Sequence, residues 1–292
     1  MQNLLNALSF DVEDYFQVSA FNQAIDRSAW DSHPQRVAQN TRLLLGLLDE
    51  HAIRATFYVL GWVADRQPDL VKEIAQAGHE VACHGYSHKL IYTQAPEEFA
   101  EETRRARCVL KDLAQQPVVS YRAATYSITQ ASLWALDTLV EQGFTADSSI
   151  FPIRHDRYGL LGGPLEPHYL ELRNGGRLLE FPIPTVKFGP LTLPVSGGGY
   201  FRLYPYGLSR TLCRKVNSQN RPFVFYLHPW ELDPEQPRVN ITGLSRFRHY
   251  NNLEKCQARL ERLLRDFRFG TLSECVEENY PDTHALTSHT YA

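Results

Sequence analysis

One stretch of the sequence joins a short apolar run to two histidines: Val81-Ala82-Cys83-His84-Gly85-Tyr86-Ser87-His88. If residues 84–88 form one helical turn, both imidazoles lie on the same face and can bind a single metal ion. The sequence has eleven histidines, so this spacing could also arise by chance. A metal site needs further ligands, which the rest of the chain must supply.

A cluster of acidic residues near the N-terminus offers those ligands. Residues 4–10 form an apolar run typical of a buried strand, and Asp11, Glu13 and Asp14 follow it directly. Two histidines and one carboxylate form a recurrent catalytic metal site, and a second carboxylate could take a proton from water. Acidic residues at strand ends also serve as helix caps. Together with the histidine pair, the cluster favours a metal centre.

Polar residues also follow three later strand-like runs. Residues 222–227 lead into His228, residues 118–121 lead into Arg122, and a short run leads into Asp147. Active-site residues of a β/α barrel gather at the carboxyl ends of its strands because the loops there share one rim. The sequence therefore predicts one site built from several strand ends.

Strand and helix patterns alternate in the first half of the chain, which is typical of a parallel sheet. A strand is predicted over residues 55–60, and a late amphipathic helix over residues 251–266. Other helices are predicted over residues 35–51, 68–77, 96–113 and 132–142.

The chain is interpreted as one domain over residues 1–280, with a C-terminal elaboration from about residue 151. Its 292 residues and 43% hydrophobic content suit a sizeable core. Within the elaboration, residues 154–177 are predicted to be a long loop and residues 196–200 a flexible or closely approached segment. Residues 281–292 are expected to form a frayed, flexible tail.

The ordered motifs resemble those of the NodB-homology polysaccharide deacetylases, carbohydrate esterase family four. The resemblance runs from about residue 4 to about residue 275, and it implies an α/β fold that is a distorted, incomplete (β/α) barrel. Some segments also resemble the branch found with exosortase and exopolysaccharide gene clusters. The matching motifs are Ser9-Phe10-Asp11, His84-Gly85-Tyr86-Ser87-His88, Arg122-Ala123-Ala124-Thr125-Tyr126, Asp147-Ser148-Ser149 and Leu227-His228-Pro229-Trp230.

The resemblance implies a role for each matching residue. Asp11 would act as the base, Arg122 would orient it, and His84 and His88 would bind the metal. The metal would most simply be zinc, with cobalt and nickel as alternatives.

The third metal ligand stays open at this level, because Val12 replaces the second aspartate of the common family motif. Glu13 lies on the same side of an extended chain as Asp11 and ranks first. Asp14 would need the backbone to turn, and it is kept as the alternative.

The resemblance also implies an acid and its support. His228 would protonate the departing amine, since imidazole titrates near neutral pH, and Asp147 would support His228. Three aromatic residues, Tyr126, Tyr200 and Trp230, are candidates for stacking on sugar rings of the substrate.

These roles indicate a metal-dependent hydrolase that removes N-acetyl groups from amino sugars of a polysaccharide or its precursor and releases acetate. One alternative is hydrolysis of another amide on the same scaffold. A second is a catalytically silent carbohydrate-binding protein of an exopolysaccharide complex, suggested by the altered acidic motif and by Ala124, where many relatives carry proline. The sequence retains the histidines, Asp11 and Arg122, which argues against a protein without catalytic activity.

Charge and composition limit the partners. The net charge of −3 with interspersed signs provides no basic face for nucleic acid. The sequence shows neither a signal peptide nor an apolar run long enough to span a membrane, so a cytoplasmic location is expected. Its five scattered cysteines predict no disulfide framework. The expected partner is an N-acetylated glycan substrate, and no oligomeric state is indicated.

Overall fold

The structure is a computed structural model that describes residues 4–155, 157–189, 191–241 and 243–291. Twelve strands lie within these ranges: β1 (Leu5–Val12), β2 (Thr56–Val59), β3 (Glu80–Cys83), β4 (Ser120–Tyr121), β5 (Ala146–Asp147), β6 (His168–Glu171), β7 (Arg177–Glu180), β8 (Thr185–Phe188), β9 (Leu191–Pro194), β10 (Val224–Leu227), β11 (Arg268–Gly270) and β12 (Ser288–His289). The same ranges contain ten α-helices: α1 (Val37–Glu50), α2 (Gly61–Arg66), α3 (Pro68–Gln76), α4 (Pro96–Ala114), α5 (Trp134–Glu141), α6 (Gly198–Leu203), α7 (Tyr206–Asn217), α8 (Gly243–Tyr250), α9 (Leu253–Asp266) and α10 (Leu272–Asn279).

Most strands belong to one sheet, in the order β10-β1-β2-β3-β4-β5-β7-β6-β12, with β11 paired to the start of β1. Every pairing in this sheet is parallel except that of β6 with β7. Strands β8 and β9 form a separate antiparallel pair. The α/β class predicted from the sequence is confirmed, and the described sheet has two ends, as in an incomplete barrel.

Strand β1 separates the hydrophobic core from the site. All eight of its residues are buried. Because alternate side chains of a strand point to opposite faces, Leu8 and Phe10 join the main core cluster, which also holds the buried faces of the outer helices. Ala7, Ser9 and Asp11 therefore face the interior of the barrel.

The strands beside β1 show the same alternation. Side chains that belong to the main core cluster alternate with those of a smaller inner cluster, which lies between the strands. Polar residues that continue the inner rows past the strand ends therefore converge on one point. In each strand one residue belongs to the core cluster and its neighbour to the inner cluster. In that order they are Phe57 and Tyr58 in β2, Cys83 and Ala82 in β3, and Phe225 and Tyr226 in β10.

Helix α10 closes the opposite end of the barrel. Leu272 and Cys275 belong to the inner cluster. The Leu272 backbone N–H donates to the Thr56 hydroxyl at the start of β2, at 2.8 Å. The Asn279 side chain donates to the Leu5 carbonyl at the start of β1, also at 2.8 Å. The amino ends of the strands are thus covered, and the carboxyl ends remain for a cavity.

The C-terminal half differs from its sequence prediction in two places. The predicted loop over residues 154–177 contains β6, which pairs with β7. The expected frayed tail contains β12, whose Ser288 pairs with Tyr169 of β6. Both strands are short, so their sequences carry little periodic signal.

The glycine-rich segment at residues 196–200 is closely approached by another strand, which was one of the two predicted options. Gly197 has φ of +67°, and a Cβ there would lie 2.2 Å from the carbonyl oxygen of Tyr226. Only glycine fits this contact. The segment then enters α6, so it is packed against β10.

Two further expectations concern cysteines and membranes. All five cysteines lie within the described residues and are free thiols, as predicted. Cys83 is buried in the main core, and burial raises its pKa to about 12. Across the described ranges, the structure contains no helix with the length and apolar surface to cross a bilayer.

We expect Leu272→Ala to lower the free energy of unfolding by about 2–5 kcal/mol, because it removes a buried side chain from the helix that closes the barrel. Leu208→Ala is the matched control, since Leu208 is 42% exposed on α7, and it should change stability by less than about 0.5 kcal/mol. Equilibrium unfolding in urea measures both. Equal small losses would show that α10 does not support the barrel.

Candidate metal centre and active site

Five of the predicted site residues lie together at the carboxyl ends of the strands. Asp11 ends the inner row of β1 and Glu13 follows it, His84 follows β3, Arg122 follows β4 and His228 follows β10. In the sheet, β1 lies between β10 and β2, and β3 lies next to β2. The parallel order therefore brings residues more than 200 positions apart in the chain to one rim.

Glu13, His84 and His88 form the candidate metal centre. Each offers one ligand atom, and these atoms lie within 4.8 Å of one another. His88 Nε2 is 2.7 Å from Glu13 Oε2. All three side chains are buried. A single cation would contact two imidazole nitrogens and one carboxylate oxygen here.

A loop brings the two histidines together, so the prediction of a helical turn is wrong. β3 ends at Cys83, and residues 84–90 form no helix. Gly85 has φ of +75° and His88 has φ of +51°. Positive φ is costly for a residue other than glycine, and such strain concentrates at functional sites. The turn at these two positions directs the His88 side chain back towards His84.

The chemistry around His84 fits a metal ligand. Its Nδ1 lies 2.8 Å from the carbonyl oxygen of Arg122. The Nδ1–H therefore donates to that oxygen, and Nε2 keeps its lone pair for a metal. Burial lowers the pKa of His84 to about 4. The imidazole is then neutral at physiological pH, which is the form that binds metals.

Glu13 also has the form and position of a ligand. Its Oε1 accepts a hydrogen bond from Trp230 Nε1 at 3.2 Å. Its Oε2 is buried beside His88 Nε2 and accepts no other hydrogen bond among the described residues. Burial alone would raise the pKa of Glu13, but the nearby histidines, led by His88, hold it well below its usual value. The residues present thus fit a divalent metal with nitrogen and oxygen ligands.

Asp14 lies outside this cluster and serves as a backbone cap. Its Oδ1 accepts from the N–H of Tyr15 at 2.9 Å. Its Oδ2 accepts from the N–H groups of Arg36 at 2.6 Å and Val37 at 2.9 Å. These bonds satisfy donors at helix starts. Of the two acids kept open by the sequence, the structure brings only Glu13 to the histidines.

Arg122 is fully buried and holds Asp11. Its Nη1 donates to Asp11 Oδ1 at 2.7 Å and to the Ser9 hydroxyl at 2.8 Å. Its Nε and Nη2 donate to Ser148, at 3.1 and 3.0 Å. Burial alone would lower the pKa of Arg122, but Asp11 raises it, so the guanidinium stays charged. Asp11 Oδ2 is left facing His228, whose Nε2 is 3.8 Å away.

His228 is supported by Glu231. His228 Nδ1 is 2.7 Å from Glu231 Oε1. Arg202 donates to the other oxygen of Glu231 at 2.5 Å. Burial alone would lower the pKa of His228, but Glu231 and Glu13 raise it to about 9. His228 therefore carries a proton at neutral pH, with Nε2 directed to the centre of the site.

Asp147 does not take the supporting role that the resemblance implied. Its Oδ1 accepts from the Ser149 hydroxyl at 2.6 Å. Burial raises the pKa of Asp147, and burial with the Asp147 charge raises that of Glu180 well above its usual value, so the two carboxyl groups share a proton. Among the hydrogen bonds and ion pairs of the described residues, none joins Asp147 to His228. Glu231 contacts the His228 ring instead, at Nδ1.

The sequence did carry a signal for Glu231. It lies three residues after His228, within a short 3-10 helix over Pro229–Leu232, and its carboxylate also accepts from the His228 backbone N–H at 3.1 Å. This is the spacing of a capping box. Arg202 has no such signal, because it reaches Glu231 only through the fold.

The three predicted stacking residues differ in what they offer a substrate. Trp230 is only 5% exposed, and its ring stacks on the rings of His228 and His249. It therefore positions Glu13 and His228. Tyr126 is also buried, although it lines the cavity. Tyr200 keeps part of its surface exposed there.

These residues open into one cavity of about 440 Å3. Asp11, Glu13, His84, His88 and His228 line its base. A cavity of this size suits a small molecule or one to two sugar rings of a longer chain. The fold and site therefore define an incomplete β/α barrel with a candidate metal centre, a buried carboxylate and a charged histidine around one cavity.

Known families match two consecutive parts of the chain. Residues 28–142 match the family described as polysaccharide deacetylase, and residues 148–277 match a domain of unknown function, DUF3473. Residues 28–142 are therefore similar to the polysaccharide deacetylases, and the family resemblance seen in the motifs is confirmed over this part of the chain. The finer likeness to the exosortase-associated branch stays a prediction.

Similar proteins support this assignment. The chain is 27% identical over 140 residues to a peptidoglycan-N-acetylglucosamine deacetylase of Bacillus cereus, covering 44% of this chain and 50% of that protein. It is 30% identical over 96 residues to a chitooligosaccharide deacetylase of Bradyrhizobium, covering 33% and 42%. The chain thus spans half or less of these curated relatives.

A solved structure from Mycobacterium smegmatis, assigned to the polysaccharide deacetylases, has the same fold. It aligns with a TM-score of 0.64 at 21% identity, covering 99% of this chain and 94% of that one.

We expect Glu231→Gln to lower the pKa of His228 from about 9 towards the usual value of ~6.5, because the substitution removes the adjacent negative charge. NMR titration of the His228 ring in the metal-free protein measures this. Asp147→Asn is the matched control and should leave the His228 pKa in place. A shift with Asp147→Asn and none with Glu231→Gln would restore the role first inferred for Asp147.

Proposed function

We propose that this protein is a metal-dependent hydrolase that removes N-acetyl groups from amino sugars of a glycan and releases acetate. The observation that carries the proposal is the arrangement around one cavity: the His84, His88 and Glu13 cluster lies beside Asp11 and His228. The match to the polysaccharide deacetylase family and the names of the relatives support the same chemistry.

Glu13, His84 and His88 would hold the metal, and zinc suits two imidazoles with one carboxylate. When bound there, the metal supplies Lewis-acid chemistry, since it makes water a better nucleophile and draws electrons from a carbonyl oxygen. Cobalt and nickel accept the same ligands.

Asp11 acts as the general base. Arg122 fixes its Oδ1, so Oδ2 remains to accept a proton from the attacking water. The water oxygen bonds to the acetyl carbon as the proton moves to Asp11. Because Arg122 orients Asp11, the carboxylate is in position before the substrate enters.

His228 acts as the general acid. It carries a proton on Nε2, which it donates to the departing nitrogen as the carbon–nitrogen bond breaks, so that the products are acetate and a free amine. Glu231 stabilises the charged imidazole before this step. The acid lies on β10 and the base on β1, and these strands are neighbours.

Two alternatives make different predictions. A carbohydrate-binding protein without activity would bind glycans but release no acetate with saturating zinc, cobalt or nickel. A hydrolase of another amide, with or without a metal, would release no acetate from N-acetylated glycans. The cytoplasmic location and the exopolysaccharide setting stay predictions.

Metal binding is the first test. We expect Glu13→Gln to weaken zinc binding by more than about 100-fold, because even an outer residue of a metal site changes affinity by about 10- to 100-fold. Asp14→Asn, the neighbouring acid, should change it by less than about threefold, since it lies outside the cluster. Isothermal titration calorimetry measures both. If only Asp14→Asn weakened binding, Asp14 would be the third ligand.

Catalysis is the second test. We expect Asp11→Asn and His228→Ala each to lower kcat about 10²- to 10⁴-fold, the usual contribution of a general base or acid, while zinc remains bound. Acetate release from chitooligosaccharides measures the rate. Asp49→Asn, on the exposed surface of α1, is the control and should keep full activity.

The pH profile separates the two roles. His228 works in its protonated form, so activity should fall as pH rises through the His228 pKa of about 9, and the His228→Ala variant should lack this alkaline limb. If Asp11→Asn released the metal while Glu13→Gln retained it, Asp11 would be a ligand and the proposed base would be wrong.

A further inference from the structure

Three exposed apolar side chains line the outer part of the cavity: Leu203, Leu244 and Phe247. They are 47%, 59% and 52% exposed, and we name them the apolar lip. The described chain exposes nine large hydrophobic side chains, and a third of them lie at this one opening. Exposed apolar surface concentrated at a cavity marks a site that binds an apolar group.

The apolar lip is held in a fixed position relative to the catalytic centre. Leu244 and Phe247 lie three residues apart on α8, so they share one face of that helix. Arg202, next to Leu203, donates to the carbonyl oxygens of His249 at 2.8 Å and Arg248 at 3.0 Å. The same guanidinium binds Glu231, the partner of His228. One buried arginine therefore ties the lip to the acid.

Two arginines line the same cavity, and no acid among the described residues pairs with either of them. Arg157 and Arg248 are exposed, and within the described ranges neither side chain has a hydrogen bond or ion pair. Both arginines line the same cavity as Tyr158, the residue after Arg157. The described carboxylates of the cavity, Asp11 and Glu13, are engaged at its base. The described side chains of the outer cavity therefore carry a net positive charge.

We propose that the substrate is a lipid-linked saccharide, in which the N-acetylated sugar is joined through a diphosphate to an apolar chain. This inference rests on the proposed function and names the substrate class of the same site. The sugar lies at the base beside Asp11 and His228, the diphosphate binds Arg157 and Arg248, and the chain packs on the apolar lip.

The order of features in the cavity supports this choice over a long polysaccharide. Neutral sugar rings bind through hydrogen bonds and aromatic faces. Such a substrate would leave the two arginines and the two exposed leucines without a binding partner. A lipid-linked saccharide offers a partner to both the arginines and the leucines, because its diphosphate follows the sugar and its hydrocarbon chain follows the diphosphate. Its binding removes apolar surface from water, which is favourable.

A two-by-two substrate series tests the proposal on the zinc-loaded protein. The four substrates are N-acetylglucosamine, its 1-diphosphate, its octyl glycoside and farnesyl-diphospho-N-acetylglucosamine. We expect kcat/KM for acetate release to rise at least ~10-fold on adding the lipid to the diphosphate, the gain from burying about two methylene groups. Equal kcat/KM for all four substrates would overturn the proposal and leave the proposed function standing.

Variants locate the two parts of the site. Leu244→Ser and Phe247→Ser should reduce the kcat/KM preference for the farnesyl substrate over the 1-diphosphate. Arg248→Gln should reduce the kcat/KM preference for the 1-diphosphate over N-acetylglucosamine. The controls are Leu208→Ser on α7 and Arg246→Gln on α8, both exposed and outside the cavity lining. Equal effects of variants and controls would contradict the assignment.

A binding measurement keeps the inference separate from catalysis. Calorimetry with farnesyl diphosphate, which has no sugar, should show binding that Leu244→Ser and Arg248→Gln each weaken. If the protein released no acetate from any glycan yet bound this probe in that way, the proposed function would fail and the lipid diphosphate site would stand. If Leu244→Ser weakened sedimentation with phosphatidylglycerol vesicles but left probe binding unchanged, the lip would contact membranes and the proposal would be wrong.

Discussion

The buried guanidinium of Arg122 is the group on which the site depends. Burying a charge is costly unless it is paired and its donors are satisfied. Arg122 meets both needs through Asp11, Ser9 and Ser148, so it fixes β1 relative to the segment after β5. Its backbone carbonyl orients His84 as well. Arg122 therefore positions the proposed base with its side chain and the proposed metal ligand His84 with its main chain. The positions of these two groups are coupled through this one residue.

The acid half of the site is built from a different part of the chain. The proposed metal ligands His84 and His88 lie with Arg122 in the segment that matches the polysaccharide deacetylase family. His228, Glu231 and Arg202 lie in the segment that matches the domain of unknown function. Arg202 lowers the pKa of buried Glu231 to about 2, against the effect of burial, and Glu231 in turn raises that of His228. Asp11 and Glu13 precede both matched segments, so the proposed base, the proposed metal histidines and the proposed acid come from three parts of the chain. The second segment also forms the outer cavity, so we infer that it decides which molecules reach the centre.

Much of the fold could be predicted from the sequence because local signals agreed with each other. Proline at the first turn and glycine after the last turn predicted the helix over residues 68–77, found at Pro68–Gln76, and similar signals predicted the helix over residues 96–113, found at Pro96–Ala114. Apolar runs predicted the buried strands β1 and β10. The short strands β6 and β12 escaped prediction, since strands this short are stabilised by pairing with distant strands and not by their own pattern.

The sequence by itself determined the residue types of the site and the α/β class, because motif order and strand-end position are written along the chain. Only the tertiary structure decided between Glu13 and Asp14, and between Asp147 and Glu231. In each pair, both residues are acids in or next to a family motif. They differ in the groups that each carboxylate contacts in the folded chain. Asp14 meets backbone N–H groups and becomes a cap, whereas Glu13 meets His88. A side chain's role follows from its electrostatic surroundings, and those come from strands that are distant in sequence and adjacent in the sheet.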